Sequence, residues 1–287
     1  MANNKENNGL LGLYIRRIFS YLVLILITLL CLLPFYILII NSTRSHPDIQ
    51  KGFSFFPGRA FVKNFNNLLA DKNLPVVRGT INSFFVAACS ALLTTYFSSL
   101  TAYAVHAYDF RYKKMLYTFI LAIMMVPTQV TSLGFIKLIR DMSMLNSYTP
   151  LIVPSIAAPI VVFFIKQYME TALPVEIVEA ARIDGSHEYK TFNKIVLPIL
   201  KPAIAVQIIF AFTNSWNNYF IPALILTDKD KKTLPILIAQ LRSADFLKFD
   251  MGKVYMMIAL SIFPIVVIYL ILSRQIVGGV AMGSVKG

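Results

Sequence analysis

Two adjacent stretches hold the residues of this chain whose types and spacing can bind or transmit something. The first is Leu173 to Pro202, LPVEIVEAARIDGSHEYKTFNKIVLPILKP, which is dense in acids and bases and has long apolar runs on both sides. Pro174 suits the first turn of a helix, Glu176 and Glu179 sit near that helix's positive end, and Gly185 can adopt the left-handed cap that ends it. This predicts a helix of about three turns. Asp184 or Ser186 can cap a second helix beginning near His187, with Glu188 in its first turn, and Pro198 interrupts that helix. Two short helices then meet at a glycine elbow. In the second stretch, Gln207, Asn214, Asn217 and Asn218 fall at helical spacing on roughly one face, with Trp216 and Tyr219 beside them. Amides donate to and accept from hydroxyls, and an indole packs on the apolar face of a sugar ring, so this face suits a neutral polyhydroxylated ligand. The alternative is that the amides join helices and Trp216 marks an interface belt.

Other chemistry is missing. There is no phosphate-binding GxxxxGK[ST] loop, and the nearest candidate, Gly278 to Ser284, lacks the lysine. No Asp or Glu stands inside an apolar run, where ion-coupled carriers and polytopic hydrolases place ionisable groups. His46, His106 and His187 are far apart in sequence and read as solvated surface histidines, not metal ligands. Cys31 and Cys89 lie in apolar runs, where a thiol acts as a small hydrophobe. No catalytic, cofactor or metal site is expected on this chain.

The elements that must position these residues belong in a bilayer, because 57% hydrophobic and 14% charged residues are too apolar for a soluble domain. A net charge of +13 sits in loops, where it suits anionic lipid; nucleic acid is not an expected partner. After a polar, disordered tail (within 1–17), six spans are expected at about 18–40, 81–105, 115–138, 151–168, 203–226 and 254–272. The second carries Ala87, Ala88, Ser90, Ala91, Ser98, Ser99 and Ala102, small residues that let helices approach closely. In the third, Pro127 followed by Thr128, Gln129, Thr131 and Ser132 predicts a kink near a polar cavity, or else a hydroxyl-rich helix contact. The single domain runs over 18–277, with the elbow loop at 173–202 and a tail at 278–287. Lys and Arg number 13 on the side of the termini and 14 on the other, so charge does not orient the chain.

Glu179, Ala180 and Ala181, then Gly185, then Ile195, Leu197 and Pro198 follow the spacing EAA-x3-G-x9-I-x-LP. This resembles the cytoplasmic motif of permease subunits of binding-protein-dependent ATP-binding cassette (ABC) importers. The flanking ARIDGSHEYKTFNKIVLPILKP, the run MMVPTQVTSLGFIKLIRDMSMLNSYTPLIVPS and the ending GGVAMGSVKG are similar to the carbohydrate branch of that family, although Val280, Ala281, Met282 and Ser284 depart from its usual ending. The resemblance implies an all-α integral membrane protein with the type I ABC importer permease fold, whose coupling helix lies between spans four and five. It further implies Glu179, Ala180, Ala181, Asp184, Gly185, Ile195, Leu197 and Pro198 as the ATPase-coupling surface, with Gln207, Asn214, Trp216, Asn217 and Asn218 along a substrate path. The partners implied are a second homologous permease, two cytoplasmic ATPase subunits that hold ATP and magnesium, an extracytoplasmic solute-binding protein, a sugar, and the lipid of a bacterial cytoplasmic membrane. Both termini are then cytoplasmic, the loop from Thr227 to Lys253 reaches the binding protein, and the tail from Gly278 to Gly287 contacts the ATPases.

Overall fold

The computed structural model describes residues 2–243 and 249–283, with side chains for 13–127, 129–243 and 249–275. In chain order its helices begin with α1 (Ala2–Ser42), α2 (His46–Gln50), α3 (Phe61–Leu69), α4 (Val76–Ala107), α5 (Lys113–Ile123) and α6 (Thr128–Asp141). Next come α7 (Thr149–Ile152), a 3-10 turn (Val153–Ile156), α8 (Pro159–Ala172), α9 (Val175–Ile183), α10 (Glu188–Thr191), a π-turn (Phe192–Val196) and α11 (Leu197–Ile199). The chain continues through α12 (Lys201–Trp216), α13 (Phe220–Ile225), a 3-10 turn (Lys229–Lys231), α14 (Leu234–Arg242) and α15 (Met251–Gly283). No strand occurs among the described residues. Residues 1–70 with 245–260 form one compact unit, and 71–244 with 261–287 form another.

Among the described residues, four stretches are long and apolar enough to cross a membrane: Leu13–Ser42, Val76–Ala107, Thr149–Ala172 and Met251–Gln275. A fifth candidate is Glu188–Ile199 with Lys201–Trp216, bent by 82°. Three expected spans differ from simple rods. The one expected at 115–138 is two helices of 11 and 14 residues, each short of the roughly 20 that cross a bilayer. Tight bonds from Met124, Met125 and Val126 to carbonyls three residues back end α5, and Pro127 caps α6, so the expected kink is a break. The span expected at 151–168 is interrupted at Ala157–Ala158, between turns headed by Pro154 and Pro159. The one expected at 203–226 stops at Trp216 and resumes at Phe220. At the N-terminus, α1 starts at Ala2, through the stretch expected to be a disordered tail.

In the larger unit α4 is the spine, with α8 and α12 packed against it. Of the small residues legible in the sequence, Ala87, Ser90, Ala91, Ser98, Ser99 and Ala102 are buried and Ala88 is half-buried, and Thr94 and Thr95 are buried with them. The hydroxyls have a second task. Ser90 Oγ donates to Leu151 O at 3.4 Å, Thr94 Oγ1 to Ser155 O at 2.8 Å and Ser98 Oγ to Ala158 O at 3.5 Å. These carbonyls lie where the α7–α8 segment leaves regular helix, and in a bilayer no water is at hand to bond them. Below the break, Ala102, Tyr103 and Ala107 join Val161, Val162, Ile165 and Met169 of α8 in a core that also includes Leu173, Val178, Phe192, Val196 and Leu200.

At the other end, the α13–α14 connection is tied down by Asn82 Nδ2 donating to Asp230 O and Lys232 O at 2.9 and 3.0 Å, and by Tyr148 Oη donating to Lys231 O at 3.1 Å. The following helix buries Leu234, Ile236, Leu237 and Leu241. The loop from Thr227 is therefore largely a packed layer as far as Arg242. Ala102 is fully buried where α4 meets α8. Replacing Ala102 by Leu overfills that core and is expected to destabilise by about 1–3 kcal/mol, read as a lower thermal midpoint of the purified protein in detergent; an unchanged midpoint would contradict this packing.

Candidate functional site

The stretch from Leu173 to Leu200 is an elbow whose inner face belongs to the core. Pro174 caps α9, which buries Val178 and Ala181. Gly185 takes φ = 73°, the left-handed conformation expected of it, and Ser186 N donates back to Ala181 O at 2.9 Å. The next helix is capped by His187, whose Nδ1 accepts from Tyr189 N at 3.3 Å, so neither Asp184 nor Ser186 fills the expected role. Ser186 instead accepts a bond from Thr191 Oγ1 at 3.0 Å. The helix does not stop at Pro198. A π-turn precedes it, with Leu197 N bonded to Phe192 O five residues back, and the chain turns only at fully buried Leu200. There the axis bends by 82° into α12.

Four side chains lock the elbow to the end of α4. Arg182 Nε donates to Glu188 Oε1 at 2.7 Å, across the glycine turn. Glu188 Oε2 accepts from Tyr103 Oη at 3.1 Å and from Tyr108 Oη. The Arg182 guanidinium also lies 4.9 Å from the Tyr108 ring centroid. The bond from Arg182 holds the Glu188 carboxyl below the usual carboxylate range, against an opposing push from burial and with further help from both tyrosines. Burial above all raises the Tyr108 hydroxyl. His106 adds a tie, its Nε2 lying 2.8 Å from Leu173 O.

The outer face of the elbow is apolar as well as charged. Glu179, Ala180, Asp184 and Gly185 are exposed as expected of a coupling surface, whereas Ala181 is only 6% exposed and packs inward. The expected close approach of a partner to Ala181 is therefore corrected: the core already holds it. Ile195 and Leu197 are half-buried and Pro198 is exposed. Ile183, at 87% exposure, stands at the tip, with Tyr189 and Ile177 also open. Sequence reasoning passed over these three. The available signal was an isoleucine directly before the Asp-Gly turn, where a solvated helix end favours a polar residue.

Beyond the bend, α12 forms one wall of a cavity of about 640 Å³ with α4 and the α7–α8 segment. Gln207, Asn214 and Asn218 line it, joined by Ser90, Thr94, Ser155 and Ser215 and by the rings of Phe164 and Phe210. No charged residue is among those lining it. Two expected members are elsewhere. Trp216 is 2% exposed, stacks on Phe212 at 5.6 Å and donates from Nε1 to Ser261 O at 3.1 Å, so its indole serves packing. Asn217 is the exposed C-cap of α12. Gln129, Thr131 and Ser132 are not part of this wall either. Of the two hydroxyls from α4, Ser90 was visible in the sequence only as a small residue and Thr94 was passed over, although their four-residue spacing puts both on the same face of the helix.

His187 is exposed as expected, whereas His106 and His46 are half-buried and meet the main chain, His46 Nδ1 accepting from Met251 N at 3.0 Å. Among the described residues no cluster of His, Cys, Asp and Glu could hold a metal ion. Residues 284–287 of the tail expected to meet the ATPases, and 244–248 of the loop expected to meet the binding protein, lie outside the described residues.

The fold has a counterpart among solved structures. A chain of a bacterial ABC transporter involved in the import of the acidic polysaccharide alginate has the same fold, with a TM-score of 0.77 over 91% of this chain and 96% of that one, at 20% identity. Residues 95–277, which include the elbow and all of α12, match the family described as binding-protein-dependent transport system inner membrane component. The chain belongs to that family. It is 32% identical to the arabinooligosaccharides transport system permease protein AraQ of Bacillus subtilis (strain 168), over 94% of this chain and 96% of the relative. It is 30% identical to the lactose transport system permease protein LacG of Rhizobium radiobacter, over the same shares of the two chains. It is also 30% identical to the sn-glycerol-3-phosphate transport system permease protein UgpE of Shigella flexneri serotype 5b, over 91% and 95%.

Because folding lowers the affinity of Glu188 for its proton, the latch is fully present above the ordinary carboxylate pKa of about 4.3 and is lost as pH falls through the lower native value. Hydrogen-exchange protection factors across 175–192 should hold from about pH 7 to 5 and drop below about 4. In Glu188→Gln they should be lower at neutral pH and show no such step; wild-type protection in that variant would remove the latch from the account.

Proposed function

We propose that this permease carries a neutral sugar or short oligosaccharide, driven by ATP that partner subunits hydrolyse. The observation that carries the substrate class is the cavity: amides and hydroxyls converge between aromatic rings, and no charged residue lines it. Relatives are named for both kinds of solute, neutral (arabinooligosaccharides, lactose) and anionic (sn-glycerol-3-phosphate). A phosphate drawn into this cavity would lose water without gaining a cation, whereas a neutral sugar exchanges water for amide and hydroxyl partners. Carbonyls of the α7–α8 break accept from α4, so the remaining amides on α12 are free to face a solute.

The elbow supplies the drive. Its exposed surface, Glu179, Ala180, Ile183 and Asp184, is offered to a cytoplasmic ATPase subunit, with Glu179 for a basic partner group and Ile183 for an apolar pocket. The buried face and the Arg182–Glu188–Tyr103–Tyr108 latch make the elbow stiff. Closure of the ATPase dimer then displaces the elbow as one piece. Since α12 starts directly at the bend, the displacement tilts the helix that carries Gln207 and Asn214 and moves Asn218 just beyond its end, and the cavity changes the side on which it opens. The chain itself breaks no bond and binds neither ATP nor magnesium. A second, related permease completes the path, an extracytoplasmic binding protein delivers the solute, and both termini face the cytoplasm with the elbow.

In the assembled transporter, unlabelled lactose, raffinose or an arabinooligosaccharide should compete for uptake of the labelled sugar, and glycerol-3-phosphate should not; the reverse pattern would sink the neutral-sugar reading. Asn214→Leu should raise the KM for uptake by about fivefold, the loss of one hydrogen bond of about 1 kcal/mol, with assembly intact. Gly185→Val should reduce uptake by at least about tenfold and weaken ATPase association while membrane insertion stays normal, because a β-branched residue does not take its positive φ. Wild-type uptake in that variant would refute coupling through the elbow.

A further inference from the structure

The loop that follows α1 displays three phenylalanines on a rigid base. Arg44, 8% exposed, closes that base: its Nη1 donates to Asn41 Oδ1 at 3.1 Å and Gly52 O at 2.9 Å, and its Nη2 to Asp48 O. Asn64 Nδ2 donates to Ser42 O and Arg44 O, both at 2.9 Å. Gly58 N donates to Thr43 Oγ1 at 2.8 Å, and the approach is so close that a Cβ on Gly58 would stand 2.6 Å from Thr43 O. The loop is thus held tightly against the end of α1. Yet its tip buries nothing: Phe53, Phe55 and Phe56 are 56%, 60% and 79% exposed, with the first two edge to face at 4.6 Å. A chain that clamps a loop this firmly and leaves three aromatic rings open at its tip has prepared them for an apolar surface.

The same unit shows which surface. Tyr36 Oη donates to Phe55 O, so the loop folds back beside α1 instead of projecting from its end. Tyr36 precedes the last residue of that helix, Ser42, by about 9 Å along the axis, taking about 1.5 Å per residue. Its neighbours Phe35 and Ile39 are 51% and 58% exposed, within an apolar membrane-crossing stretch that presents its side chains outward. The phenylalanines are therefore brought alongside an exposed apolar helix long enough to cross a membrane, near its end, where interfacial aromatics are expected to settle. Exposed Arg59, just beyond Pro57 and Gly58, stands where a basic residue meets lipid phosphates.

We propose that residues 51–59 are a membrane-interface anchor, with Phe53, Phe55 and Phe56 inserted among phospholipid chains just below the headgroups at the Ser42 end of α1. The anchor fixes the depth of the first span through the Arg44 base. It is tested in the complete transporter, reconstituted in nanodiscs of phosphatidylcholine and phosphatidylglycerol, by Phe56→Trp, read as the emission added over the unsubstituted complex. Phe56 is the most exposed of the three, so the substitution disturbs little, and Phe53→Trp is a second reporter. Lipids brominated on the upper part of their chains should quench the added emission at least about twofold, with aqueous iodide having little effect. Iodide quenching like that of free tryptophan would show a solvated loop and overturn the proposal. Protection from both quenchers would mean that a protein partner covers the loop, and would overturn it equally.

Discussion

Inside a bilayer every backbone carbonyl needs a donor from the protein, and the larger unit of this chain is arranged around meeting that demand at a broken helix. Pro154 and Pro159 bring missing donors into the segment from Thr149 to Ala172, and the helix lapses at Ala157–Ala158. Ser90, Thr94 and Ser98 of α4 reach carbonyls of Leu151, Ser155 and Ala158. Only residues as small as serine and threonine allow the two backbones to come near enough for this and still bring a hydroxyl. The break leaves room beside it, and that room is the cavity that α12 completes with its amides. One constraint thus accounts for the composition of α4, the irregularity of the neighbouring span and the polar pocket between them.

The elbow and α12 meet at buried Leu200. Before it, the elbow is bound into the core by Val178, Phe192 and Val196 and pinned to α4 by Glu188. After it, α12 runs off at 82° along the same spine. A lever needs a rigid arm and a defined fulcrum. The ion pair across Gly185 supplies rigidity where a glycine turn alone would flex, and the partly exposed site of Arg182 and Glu188 keeps its charges from the full penalty of burial. The π-turn before Pro198 lets the chain keep helical bonding up to the bend, where a regular α-helix would meet the proline with a clash and a lost bond.

Several polar side chains among the described residues complete backbone bonds. His46, His106 and His187 each meet a main-chain atom, and Trp216 spends its N–H on Ser261. Asn82 and Tyr148 do the same for the carbonyls between α13 and α14. In a chain this apolar, an irregular turn has few waters to complete it, so side chains take their place.

Much was legible in the order of residues alone. Apolar run lengths put the chain in a membrane, Gly185 announced the elbow through the one backbone region that other residues avoid, and the spacing from Glu179 to Pro198 matched a family motif. The stripe on α4 predicted a helix enclosed by others. These are local properties, set by propensity and periodicity over a few turns. What required the tertiary structure was direction and partnership. Whether Trp216 met solute or core, and what held the elbow to α4, depended on neighbours 45 and 85 positions away, as in the Trp216–Ser261 and Tyr103–Glu188 bonds. The latch was invisible because no sequence pattern ties a tyrosine near the end of α4 to a glutamate that begins α10. Only packing brings them within 3.1 Å, and that contact joins the ion pair across Gly185 in holding the elbow against α4.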